Sequence, residues 1–175
     1  GFLPPLAAAL AAGNDAGIDL HARYLVAVGR ERKEPAPLRR AWELTQGILR
    51  RASGAERREL IERALARGLD LLDDLPVEAG DTWLADTFRS RPAQGRSLLA
   101  QCARQVAKAR GDKEVEGRTK ALALQRRVVD ALLVGAPGAD WGRSLDLLAL
   151  AWVDEAQLGL GGEASEESGQ GNPGV

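Results

Sequence analysis

The sequence predicts an all-α protein of seven to eight helices arranged as successive antiparallel hairpins, closed as a bundle or open as a short α-solenoid. Three observations predict it. Ala, Leu, Arg and Glu, all good helix formers, dominate the 175 residues. No stretch alternates apolar and polar residues as a half-buried strand does. Pro, Gly, Ser and Asp fall at intervals that punctuate amphipathic runs of helical length.

A short first helix is expected over Pro5 to Ala12, with Gly13 after its end. A second runs from about Asp19 to Glu31, before Pro35 and Pro37 interrupt the chain. The third, Pro37 to Ala52, carries the stripe Leu38, Trp42, Thr45, Ile48 and Leu49. Ser53 and Glu56 have capping-box spacing and are expected to start the fourth, whose face is Ile61, Leu65, Leu69 and Leu72. Asp81 is expected to cap the fifth, which holds Trp83, Leu84 and Phe88. Pro92 opens the sixth, with Leu99, Cys102 and Val106 on one face. The seventh covers about Lys113 to Val134, with Leu124, Val128 and Leu132 four apart. Asp140 then caps an eighth, apolar over much of its circumference. Residues 1–160 read as one helical-hairpin domain, and residues 161–175 as a disordered acidic tail rich in Gly, Ser and Glu. Short connections between long helices favour antiparallel neighbours.

The stretch from Trp141 to Ala156, with small and large apolar residues at helical spacing after the Trp, resembles the first helix of a tetratricopeptide-type repeat. The resemblance covers that one helix. It implies an α-solenoid whose concave face receives a helix or peptide from a partner.

Composition narrows the chemistry. One Cys excludes a disulfide within the chain and a Cys-cluster metal site, and one His excludes a zinc site built on paired histidines. No Gly-x-Ser-x-Gly, Gly-x-Gly-x-x-Gly or P-loop string occurs. The longest strongly apolar run, Leu147 to Val153, is far short of the roughly 20 residues of a membrane span. The apolar start, Phe2 to Ala12, lacks the positive region of a signal peptide, and the cytoplasm is the expected compartment.

The net charge of −1 hides a division. Residues 87–127 carry eleven bases and three acids, while residues 128–175 carry one base and eight acids. On the sixth helix Arg96, Arg104, Lys108 and Arg110 fall on a broad polar face opposite Leu99, Cys102 and Val106. Such a face suits the phosphates of a nucleic acid or an acidic protein, or is a solvated face paired with the acidic eighth helix and tail of the same chain. Phe88 is the single aromatic nearby, so no stacking platform for bases is visible. Arg outnumbers Lys twenty to four, a coding bias that weakens the case that each Arg was placed for a purpose.

Three further constellations have both a chemical and a plain reading. Asp70, Asp73 and Asp74 lie within one helical turn, a spacing that could hold Mg²⁺ and a diphosphate, with Asp81 and Asp86 as poorly spaced second ligands. Their plain reading is a solvated helix end, although carboxylates there oppose the helix dipole. His21 lacks a nucleophile or an orienting acid on its own face, and reads as structural. Cys102, in an apolar stripe, reads as a small hydrophobe.

The resulting expectation is a non-catalytic protein–protein interaction or scaffolding module, part of a larger protein or assembly, without cofactor or metal. Its partner-binding candidates are Trp83, Trp141, Trp152, Arg96, Arg104, Lys108 and Arg110. The alternatives are a nucleic-acid-binding domain using residues 87–127, and a divalent-metal enzyme using Asp70, Asp73 and Asp74.

Overall fold

A computed structural model describes residues 5–111 and 114–136, apart from the side chain of Arg110. The protein is all-α. Seven α-helices lie among the described residues: α1 (Leu6–Ala11), α2 (Asp15–Arg32), α3 (Pro35–Arg51), α4 (Arg58–Leu71), α5 (Val77–Ser90), α6 (Pro92–Arg110) and α7 (Val115–Gly135). The expected eighth helix, with Trp141 and Trp152, and the expected acidic tail lie outside the described residues. The chain divides after Trp83, within α5, into two compact units.

Local chemistry moves several boundaries from their expected places. α2 starts four residues early because Asn14 caps it, its Oδ1 accepting from the Gly17 amide at 3.1 Å. Lys33, in the left-handed conformation at φ 56°, ends it. α2 ends before Pro35 as expected, but α3 starts at Pro35 rather than Pro37, both prolines sitting in its first turn, where a missing N–H costs nothing. The expected capping box at Ser53 is replaced by Gly54 at φ 101° and a 3₁₀ turn over Ala55–Arg57, after which α4 begins. Pro76, rather than Asp81, marks the start of α5.

In the first unit α2 and α3 are the most extensively packed pair, and α3 packs on α4. Gly29 near the end of α2 meets Leu38 near the start of α3, so these two run antiparallel. Ile18 and Ala22 of α2, Leu44, Ile48 and Leu49 of α3, and Ala64, Leu65 and Leu69 of α4 are all buried. Each fully buried Leu or Ile contributes about 1.5–3 kcal/mol. Leu38, Ala41 and Leu71 form a further cluster, with Leu25, Val26 and Trp42 packed against it.

In the second unit α6 packs along α7. Phe88, Leu98, Leu99, Cys102 and Val106 are buried, as are Val128, Val129 and Leu132 of α7. The last turn of α7 lies so close to α5 that a Cβ on Gly135 would strike the Ala85 carbonyl, which explains the glycine there.

Candidate functional site

The Asp-rich helix end is held by an arginine from another helix. Arg30, in the last turn of α2, places Nη1 2.8 Å from Asp70 Oδ2 and Nη2 3.4 Å from Asp74 Oδ2. Its Nη2 also donates to the Asp70 carbonyl at 3.2 Å, filling one of the open acceptors at the end of α4. Hydrogen bonding to Asp70, opposed by desolvation, raises the Arg30 pKa above its usual value. The cation answers the conflict between these carboxylates and the helix dipole. Among the described residues no group of three or more His, Cys, Asp or Glu side chains converges in a way that could hold a metal ion.

A second set of ion pairs joins the N-terminal half of α2 to α3 and α4. Asp15 Oδ1 accepts from Arg51 at 2.9 Å and its Oδ2 accepts from Arg57. One turn later Asp19 accepts from Arg67 Nη1 at 2.7 Å and from Arg63 Nε at 3.3 Å. Arg67 Nε donates to Thr45 Oγ1 at 2.7 Å, and that hydroxyl donates to the Ala41 carbonyl at 2.7 Å. Asp19, Arg67 and Thr45 are all buried, and Arg67 Nη2 has no hydrogen-bond partner. Desolvation lowers the Arg67 pKa, against the pull of Asp19. These residues connect α2 to α3, to the 3₁₀ turn that follows it and to α4. Their i,i+4 spacing in Asp15/Asp19 and Arg63/Arg67 is visible in the sequence, but their pairing depends on which helices become neighbours.

Trp83 takes the core role of the two open to it. It is 6% exposed, meets Trp42 edge-on with ring centroids 5.1 Å apart at 84°, and lies against Gly68 of α4. A buried ring offers no surface to a partner. Trp141 and Trp152 lie outside the described residues. His21 is buried on α2.

Cys102 is buried in the second unit, and desolvation pushes its thiol up to about 12. The thiolate is the reactive form. In the native chain Cys102 is therefore expected to resist thiol reagents at neutral pH and to react fully once the chain is unfolded in urea. The stability consequence has a definite sign. The unfolded thiol ionises above its ordinary value of 9.0, while the folded thiol keeps its proton to about 12. The folded state binds more protons in that window, so stability is unaffected below pH 9 and falls by about 1.4 kcal/mol per pH unit above it. A Cys102→Ala variant, followed by urea unfolding at several alkaline pH values, checks the slope: it disappears if Cys102 is its source.

The basic face of α6 is present in the structure. Arg96, Arg104 and Lys108 are exposed and make no ion pair with any described carboxylate, while Leu99, Cys102 and Val106 are buried on the other side. Arg110 ends the helix, with its side chain outside the description. Arg91, by contrast, is engaged by Gln94 at 3.1 Å and by Asp86 at 3.6 Å.

Two further surface features lie on α2 and α6. Leu20 and Tyr24, one turn apart on α2, are 43% and 54% exposed. Their i,i+4 spacing, visible in the sequence, gives α2 a second apolar line beside the buried Ile18 and Ala22. On α6, Ala93, Ala100 and Ala107 recur every seven residues on the solvent side, Ala93 and Ala107 exposed and Ala100 half-buried.

Comparison of the chain with protein-family models, curated proteins and solved structures finds no match. Among the described residues no helix is long and apolar enough to cross a membrane.

Proposed function

We propose that the chain is a non-catalytic protein–protein interaction or scaffolding module, built from helical hairpins of the general kind seen in tetratricopeptide-like solenoids. One observation carries this reading: α6 is anchored through Leu99, Cys102 and Val106 on one side and presents Arg96, Arg104 and Lys108 to solvent on the other. A helical face that carries charge without an ion-pair partner among the described residues suits recognition, because little order remains to be imposed on binding.

A nucleic acid is the second reading, favoured by the eleven bases against three acids in residues 87–127. Affinity capture with the full chain from the source cell separates the two. We expect co-purifying polypeptides that survive nuclease treatment. Loss of all captured chains after nuclease treatment would reverse the order of the readings, and capture of nothing above a bead control would remove both.

A further inference from the structure

We propose that the solvent face of α6 docks an acidic α-helix of a partner protein, with Arg96, Arg104 and Lys108 pairing its carboxylates; this rests on the interaction-module reading. The cations carry the inference. Arg104 and Lys108 lie four residues apart, so their side chains project about 6 Å apart along the axis. That matches two Glu residues one turn apart on a facing helix. Arg96 lies two further turns towards the N-terminus of α6, about 12 Å from Arg104 along the axis. Complementary charge of this kind fixes register and speeds encounter.

The rest of the face decides the partner's shape. Between the cations run Ala93, Ala100 and Ala107, at a seven-residue repeat that drifts only about 20° per interval. A methyl strip lets a second helix approach to the short end of the 8–10 Å range of helix packing. The cations on its flanks then reach past the strip, their stems lying along it. A nucleic acid gains nothing from such a strip. Single strands rely on exposed aromatic rings, and Phe88, the aromatic residue of this unit among the described residues, is 1% exposed.

The probe is a roughly 20-residue Ala-rich helical peptide with Glu pairs four residues apart, fluorescently labelled, titrated with the full chain at about 50 and 200 mM salt. A Lys-for-Glu version of the peptide and a duplex DNA of similar length are run beside it. We expect the acidic peptide to bind, more weakly at the higher salt. Arg104→Glu/Lys108→Glu should weaken it by about tenfold or more, and Ala107→Trp should do so by blocking the strip. Arg39→Glu/Arg58→Glu, which reverses two exposed cations of the first unit, should leave it unchanged. Circular dichroism establishes that each variant is folded.

No binding of the acidic peptide at either salt overturns the proposal. So do equal losses in the control variant, tighter binding of the DNA than of the peptide, and an Ala107→Trp chain that binds as well as the parent. If these peptides fail while nuclease-resistant polypeptides are still captured from cells, the partner-helix inference falls and the interaction-module reading stands.

Discussion

Replacing Asp19 with Ala is expected to destabilise the chain by about 3–5 kcal/mol, the usual cost of leaving a buried cation without its counter-ion. Arg67 is 8% exposed, and Asp19 is its carboxylate partner at 2.7 Å. The remaining contact, to Thr45 Oγ1, is to a neutral group, and Arg67 Nη2 already lacks a partner. Removing both charges is a different matter. A well-packed apolar pair often equals or exceeds a buried ion pair, so Asp19→Leu/Arg67→Met is expected to recover most of the loss. Urea unfolding of the parent, both single variants and the double variant measures the coupling directly. An Asp19→Ala cost below 1 kcal/mol would contradict the burial described for the pair. The surface pair Arg30–Asp70, roughly half exposed on both sides, supplies the contrast. Breaking it should cost no more than about 1 kcal/mol, and less in high salt.

The second large effect centres on Trp83. Trp83→Ala removes a buried ring and is expected to cost about 3–5 kcal/mol. Part of that is the edge-on contact with Trp42, worth about 0.5–1.5 kcal/mol beyond the buried area. Gly68 makes the prediction sharper. A Cβ at position 68 would lie 2.7 Å from the far edge of the Trp83 ring, so Gly68→Ala should destabilise the parent by about 1–3 kcal/mol. In the middle of a helix Ala is otherwise better than Gly by about 1 kcal/mol. With Trp83 already cut to Ala, the same Gly68→Ala change should become neutral or stabilising. A thermal or urea series over the four chains reads this reversal of sign. If Gly68→Ala costs the same in both backgrounds, the ring is not what excludes the methyl group.

Much of the fold was legible because amphipathic spacing is a local property. Of the expected stripes, Leu38, Thr45, Ile48 and Leu49, then Leu65, Leu69 and Leu72, then Leu99, Cys102 and Val106 are buried, while Trp42 and Ile61 are half-buried. Helix ends differ from expectation where a terminus depends on backbone conformation. Asn14 caps α2 ahead of the expected start, and Pro35 opens α3 two residues before the expected Pro37, because proline suits the first turn of a helix. At Ser53 the capping-box pattern was outweighed by Gly54 at φ 101°. The site divides in the same way. Exposure of Arg96, Arg104 and Lys108 followed from periodicity on a single helix. The partners of Asp70 and Asp74 did not, since Arg30 is 40 or more residues away and only the packing of α2 beside α4 brings it near. Trp83 could be placed on a helix but not inside or outside the fold, because that depends on whether a neighbour presents a glycine to it.

The ion pairs of the first unit grip α2 at both ends. Asp15 and Asp19 hold its first turns to Arg51, Arg57 and Arg67, and Arg30 holds its last turn to Asp70 and Asp74. Sliding α2 by one helical turn, about 5.4 Å, would part Arg30 from Asp70 and Asp74 and would shift Asp15 and Asp19 by one place against their arginines. One-turn ratchets of this kind are one way in which packed helices switch between states. Here the buried Asp19–Arg67 pair supplies most of the resistance to such a motion, and the exposed Arg30 contacts add little to it.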